Sequence, residues 1–260
     1  MPLRPLVSVV TPVRNGARFL PDCLQSVRSQ TWGAVEHIVV DGGSTDGTLA
    51  LLAGAPGVLW VSGPDGGMYD ALNRGFRLAH GDLLAYQNAD DRYAGPEALA
   101  LAVRHFQEHP ELDVVFGDFR WIDEQGRPDA RRAPRPSPPQ VSDLRSWSVV
   151  PPHATLVRAR LVRAEGFWLD GSLRYAGDWE WFLRLWRAGK RFGHLPAVLA
   201  EFRVHSAAQT ARTGLRAKLR EWRRICRRHR LSLTRVLWHE LLWQPLRARV
   251  RARVRARRAW

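Results

Sequence analysis

Cysteine is scarce in this chain: Cys23 and Cys226 are the only two among 260 residues. Two thiols cannot build a disulfide framework, which excludes a stapled secreted scaffold and points to a reducing compartment. Long apolar runs are missing too, since none reaches the roughly 18 residues a membrane-spanning helix needs. Met1–Pro5 leads straight into a β-like run, without the pattern of a signal peptide. The expected location is therefore cytoplasmic, or peripheral on the inner face of the cytoplasmic membrane. Two nucleotide motifs are also absent. There is no G-x-G-x-x-G turn after the first strand, as a dinucleotide oxidoreductase requires, and no G-x-x-x-x-G-K-[ST] loop, as a P-loop NTPase requires.

Lysine is limited to Lys190 and Lys218, yet arginine brings the net charge to +15. That charge is not spread evenly. Residues 211–260 hold 17 of the 40 basic and 2 of the 25 acidic side chains, so the other 210 residues carry 23 of each sign. The pattern is a neutral body, 1–210, with a basic helical extension, 211–260. With 45% apolar residues the body can bury a sizeable core.

Hydrophobic periodicity sets strands against helices in alternation. A continuous β-prone run at Leu6–Val13 predicts a buried parallel strand, and Val35–Val40, Val58–Ser62, Asp82–Gln87 and Val114–Phe119 predict four further strands. Helical spacing appears at Ala17–Ser29, at Met68–Ala79, and from Pro96 to His109. This order predicts an α/β fold with βαβ units and a mostly parallel, Rossmann-like sheet. Residues 125–128 read as a hairpin-type turn and Arg131–Pro152 as an extended Pro/Arg-rich loop. Order resumes at Ala154–Ala164, followed by a Trp-rich helix at Asp178–Ala188 closed by Gly189 and a last strand at Ala197–Val204.

Ligands of open α/β sheets lie beyond the carboxyl ends of the strands. Three such ends carry polar residues: Thr11–Asn15, Asp41, and Asn88-Ala89-Asp90-Asp91. Adjacent Asp90 and Asp91 repel each other unless a cation or hydrogen bonds hold them. They read either as hard oxygen ligands for Mn2+ or Mg2+ or as a turn cluster before Pro96. Asp41 either accepts the imide N–H of a pyrimidine or opens the Gly-rich turn 42–47 as an Asx residue.

Six segments in order carry a family resemblance: VSVVTPVRNG (7–16), VVDGGSTDGT (39–48), GGMYDALNRG (66–75), LAYQNADD (84–91), PHATLVR (152–158) and GDWEWFLRL (177–185). Together they resemble the family 2 glycosyltransferases of the GT-A fold, over Val7 to Gln209. The resemblance implies an inverting, metal-dependent sugar transferase of cell-envelope polysaccharide synthesis, using a nucleoside-diphosphate sugar. UDP- or dTDP-sugars are favoured, and the acceptor is a saccharide or lipid-linked. It implies that Thr11, Pro12 and Arg14 line the nucleotide pocket, that Asp41 reads the base, and that Asp70, Asn73 and Arg74 lie near ribose and diphosphate. Asn88-Ala89-Asp90 stands in place of a D-x-D motif, with Asn88 toward the ribose. Asp90 and Asp91 are the expected metal ligands, and His205 in the segment 202–206 would complete the shell. Asp178 matches the catalytic base, with helix capping as the other reading. Glu180 is the second-choice base. His153 either contacts a sugar or is a buried structural histidine.

Trp147, Trp168, Trp179 and Trp181 either stack on sugar rings or fill the core. In the extension, Leu215, Leu219, Trp222 and Ile225 form an apolar stripe among arginines, and Leu233, Val236, Leu237 and Leu241 repeat it beside Trp238 and Trp243. Such a helix either docks on an anionic membrane surface or packs on the body, with the Arg-rich end 247–258 solvated. Nucleic-acid binding is not expected, because no stacking platform is evident. Three further classes stay open: a nucleotidyltransferase of related fold, a non-catalytic sugar-binding module and a nucleic-acid binder.

Overall fold

The structure is a computed structural model, and it describes residues 4–129 and 140–239. The Arg-rich end at 247–258, Leu241, Trp243 and residues 131–139 of the Pro/Arg-rich stretch lie outside the described residues.

The chain begins with β1 (Val7–Val13), α1 (Leu20–Arg28), β2 (Val35–Asp41), α2 (Thr48–Ala53), β3 (Val58–Ser62), α3 (Met68–Leu78) and β4 (Leu83–Tyr86). It continues with β5 (Arg92–Tyr93), α4 (Ala98–Glu108), β6 (Val114–Ile122), β7 (Thr155–Arg158), α5 (Ala159–Arg163), α6 (Gly177–Arg187) and β8 (Phe192–Arg203). Three helices close the described chain: α7 (Gln209–Arg212), α8 (Leu215–Arg228) and α9 (Leu233–Leu237). The strands form one sheet in the order β3-β2-β1-β4-β7-β6-β8-β5.

The first four strands pair in parallel, as the alternating pattern predicts. The second half departs from it. Strand β7 runs antiparallel to both β4 and β6, β5 runs antiparallel to β8, and only β6 and β8 are parallel there. The sheet is therefore mixed, not the mostly parallel one expected. A parallel neighbour needs a crossover unit, whereas the long connection after β6 brings the chain back in the opposite sense.

All of β1 is buried, so its alternating side chains feed both faces of the sheet. Val7 and Val9 pack with Leu99, Val103 and Phe106 of α4, while Val10 packs with Leu72 and Phe76 of α3. Helix α3 comes so close that a Cβ at Gly75 would stand 2.3 Å from Val10 Cγ1, which only glycine permits.

The same core continues past residue 210. Trp222, Ile225 and Cys226 of α8 and Val236 of α9 are buried in the cluster that holds Trp179, Trp181 and Phe182 of α6. The apolar stripe of α8 thus packs on the body. Trp179 donates its indole N–H to the Leu144 carbonyl at 2.7 Å and Trp181 to that of Phe167 at 2.6 Å, so both are core side chains. Trp168 lies under the Arg77 guanidinium at 5.0 Å, and Trp147 stacks on His239 at 4.2 Å.

Trp222→Ala should lower unfolding stability by about 3–5 kcal/mol, the usual cost of emptying a buried aromatic site. Denaturant melts measure this, and a loss below about 1 kcal/mol would show α8 to be only loosely attached.

Candidate functional site

Two loops at the carboxyl ends of β1 and β2 are knitted together. Asn15 adopts a left-handed backbone (φ 53), gives its N–H to Ser44 Oγ at 2.7 Å and takes the Thr45 N–H on Oδ1 at 2.8 Å. Asp41 is wholly buried beneath them. Its Oδ2 accepts the N–H groups of Gly43 and Ser44, both at 3.0 Å, and the Ser62 hydroxyl at 2.7 Å, while Oδ1 takes the Ser44 hydroxyl. Burial pushes this carboxyl up, but the bonds from Ser44, Ser62 and Gly43 outweigh it and hold the pKa below the ordinary range. Asp41 therefore braces its own turn, the Asx reading of the sequence, at the carboxyl end of β2.

Other expected nucleotide contacts also turn inward. The Thr11 hydroxyl is fully buried against His37 Nε2 at 2.9 Å, and Pro12 lies buried in β1. Arg14 is exposed beyond the strand end. On α3, Asn73 exchanges two bonds with the Leu169 backbone, at 2.9 and 3.0 Å, and so ties α3 to the loop before α6. Asp70 accepts the Gly66 N–H at 2.9 Å, and Arg74 reaches the Gly63 and Pro64 carbonyls at 3.4 Å; both remain partly exposed. Asp65, which the sequence reading passed over, lies against Gly42 and accepts the Gly67 N–H at 2.8 Å.

The turn after β4 gathers the second set. Asp90, with 31% of its side chain exposed, stands 2.8 Å from His205 Nε2. Residues 115 positions apart in the chain thus present an oxygen and an imidazole nitrogen side by side. Asn88 Oδ1 is buried without a hydrogen-bond partner, while its amide N–H bonds Asp91 Oδ2 at 2.8 Å. A hard oxygen and an unsatisfied amide oxygen in this turn, with the His205 nitrogen against Asp90, fit a small divalent ion. Asp91, expected beside Asp90 as a ligand, faces inward instead. It is 1% exposed, and both oxygens are engaged, Oδ1 by the Arg203 backbone N–H at 2.8 Å. Burial and the neighbouring Asp90 charge push its carboxyl well up.

Arg203 organises this turn, and sequence reasoning missed it because it quoted the segment 202–206 only for its histidine. Its guanidinium is nearly inaccessible. It donates to the Asp90 carbonyl at 2.9 Å, the Glu124 carbonyl at 3.1 Å and Asp22 Oδ2 at 2.6 Å. His153 is likewise a buried, packed side chain, lying 4.8 Å from the Phe119 ring and 5.2 Å from Phe202.

Asp178 occupies the first turn of α6. A Cβ at Gly177 would come within 2.6 Å of the Tyr69 ring, so glycine lets α6 close onto α3. There the Tyr69 hydroxyl donates to Asp178 Oδ1 at 3.2 Å, shared with the Tyr175 carbonyl at 3.0 Å. Burial raises the Asp178 pKa to about 6, against the lowering bonds from the Trp179 N–H and Tyr69. Tyr86, closing β4, has a buried hydroxyl without a hydrogen-bond partner. Burial and then the charges of Asp178 and Asp91 push its pKa well up, so the two acidic stations meet electrostatically at the end of β4. Glu180, the second-choice base, is fully buried and engaged by Arg184 at 2.9 Å and His229 at 3.0 Å.

The one cluster of three possible metal-binding side chains among the described residues is His105, Glu108 and His109 on α4. It does not include the Asp90–His205 pair.

Residues 8–164 match Glycosyl transferase family 2, and the chain belongs to that family. It is similar to an uncharacterized glycosyltransferase of Mycobacterium tuberculosis, 38% identical over 184 residues, covering 69% of this chain and 68% of that one. It is also similar to a PGL/p-HBAD biosynthesis glycosyltransferase of Mycobacterium bovis, 40% identical over 129 residues, 45% of this chain and 50% of that one. Among solved structures, S. aureus TarS 1-349 with UDP-GlcNAc aligns with a TM-score of 0.70 at 18% identity, over 85% of this chain and 65% of that one. The mannosyltransferase PcManGT of Pyrobaculum calidifontis, with GDP-Man and Mn2+, aligns at 0.65 and 19% identity, over 99% of this chain and 76% of that one. These likenesses establish a GT-A-like fold, and the protein is a glycosyltransferase.

Proposed function

We propose that the enzyme transfers a hexosyl group, with inversion, from a nucleoside-diphosphate sugar to a hydroxyl of a saccharide or lipid-linked acceptor. Asp178 is the general base in this reading. The observation that carries it is a half-buried carboxylate at the start of α6 whose pKa of about 6 leaves it ionised, and a competent proton acceptor, at neutral pH. The acceptor oxygen attacks the anomeric carbon, and its proton passes to Asp178. The bond from that carbon to the diphosphate oxygen breaks, and the nucleoside diphosphate leaves with the electron pair. In-line displacement at one face gives inversion. Tyr69 steadies the carboxylate through its hydroxyl.

Asp90 and His205, with Asn88 beside them, are the residues that would hold Mn2+ or Mg2+. Such an ion, when bound, offsets the charge of the departing diphosphate. PcManGT, bound to GDP-Man and Mn2+, supports the same requirement here, and the mycobacterial PGL/p-HBAD enzyme supports an envelope glycolipid or polysaccharide as acceptor. A nucleotidyltransferase would release pyrophosphate instead of a nucleoside diphosphate, so the released product separates the two reactions.

No helix of the described residues is long and apolar enough to cross a membrane. A lipid-linked acceptor then calls for surface docking. The outward side of α8 supplies a groove lined by Arg216, Leu219, Arg220, Arg223, Arg224 and Arg227. We propose that this face rests on anionic lipid.

Asp178→Asn should lower kcat by at least about 1000-fold, while donor binding by calorimetry persists. In the wild type, kcat/KM should fall as pH drops through about 6, since protonation removes the base. Retained turnover in the variant would end the base assignment. Asp90→Ala should raise the Mn2+ concentration needed for half-maximal rate by about tenfold or more, and an unchanged requirement would remove Asp90 from the ligand set. Replacing Arg216, Arg220, Arg223 and Arg227 together by Gln should weaken co-sedimentation with anionic vesicles by at least about tenfold, each basic residue near such a surface contributing roughly fivefold. Undiminished binding would exclude this face.

A further inference from the structure

Helix α8 does more than cover the core. On its inner flank stands Glu221, one of only two acidic residues in 211–260. Its carboxylate receives three consecutive backbone N–H groups: Arg174 at 2.6 Å, Tyr175 at 2.9 Å and Ala176 at 2.9 Å. These belong to the last residues before α6, and Ala176 is the residue that caps the helix on which Asp178 stands. Charge-assisted bonds of this kind are about twice as strong as neutral ones, and three on one carboxylate fix the local path of the chain. The loop and α6 itself are each fastened at a further point. Asp170 pairs with Arg228 at 2.6 Å and Arg224 at 3.5 Å, and Glu180 bonds His229 at 3.0 Å.

We propose that Glu221 is a positioning residue for Asp178: by gathering the three N–H groups that precede α6, it sets where the base stands against Tyr69. The inference rests on the reading of Asp178 as the base. Packing alone does not require a carboxylate here, because Trp222, Ile225 and Cys226 already anchor α8. Nor would a neutral side chain serve. A glutamine at 221 offers one acceptor oxygen, and its amide nitrogen would meet backbone donors head-on.

The charge of Glu221 also reaches Asp178 and raises its pKa, an effect secondary to burial. Asp178 is faced by the Tyr69 hydroxyl from α3, by Tyr86 from β4 and by Glu221 from α8. Both tyrosines are raised well above their usual pKa by burial, so they stay neutral through the working range. Glu221 is thus the charged group facing Asp178 whose removal would move the acidic limb of the rate.

The test uses the full chain, a nucleoside-diphosphate sugar turned over by the wild type, and pH profiles of kcat and kcat/KM. Glu221→Gln is expected to lower kcat roughly 10- to 100-fold, as a misplaced base does, and to shift the acidic limb toward lower pH. Donor KM should stay within about threefold, because the change acts on the chemical step. Glu221→Asp keeps the charge but shortens the reach, so part of kcat should return with the limb where the wild type has it. A folded Glu221→Gln enzyme with wild-type kcat, or with lost kcat and an unmoved limb, would overturn the proposal. If that variant does not fold, wild-type kcat in Glu221→Asp would do so. Asp178→Asn, measured alongside, keeps the two ideas apart. Its retained activity would sink the base assignment, whereas an inactive Asp178→Asn beside an unimpaired Glu221→Gln sinks only the role of Glu221.

Discussion

One buried cation fixes the geometry of the strand ends. Arg203 is 1% exposed, and every arm of its guanidinium is used. Nε holds the Asp90 carbonyl, Nη1 the carbonyls of the hairpin at 123–124, and Nη2 the Asp22 carboxylate on α1. Its backbone N–H holds Asp91, and its plane lies over Phe19 at 4.9 Å. The same Phe19 ring packs on His205 at 4.6 Å. A planar fork with five donors can serve carbonyls and a carboxylate at once, which an ammonium cannot. Removing it would break these links at once, and the Asp90 turn would lose its reference to β8.

Around that frame, the acidic residues are sorted by environment. Asp41 is buried yet kept ionised by four donors from its own loop and from Ser62. Asp178 has fewer donors, so burial outweighs them and raises its pKa to about 6, basic enough to accept a proton. The positive end of the α6 dipole works the other way, favouring the ionised form, but does not cancel the desolvation. Carboxylates pushed to opposite sides of their ordinary pKa divide the labour between holding a loop and doing chemistry.

The matched family segment ends at residue 164, yet the proposed base, its tyrosine-facing helix and His205 all come later in the chain. Physical continuity takes over where the match stops. Helix α6 packs its tryptophans into the cluster that contains Val10 and Leu72 from the matched part, and α8 packs on α6. The basic extension is therefore two-sided: apolar residues and Glu221 face the body, and a row of arginines faces out.

Local chemistry carried much of this to the level of sequence. Apolar runs of five to eight residues gave the strands β1, β2 and β3 close to their bounds, and helical spacing gave α3 and α6. The ordered motifs gave the family. The sense of β7, the inward turn of Thr11, Asn73 and Asp91, and the pairing of Asp90 with His205 were not legible there. A motif states which side chains sit near a strand end, but the direction of each depends on what packs behind it. Glu221 shows this most sharply. In the sequence it is one acid among arginines; only the fold sets it under three backbone N–H groups from 45 to 47 positions away. Hydrogen bonds and desolvation act over a few ångströms, so partners that far apart along the chain acquire their roles when the core brings them into contact.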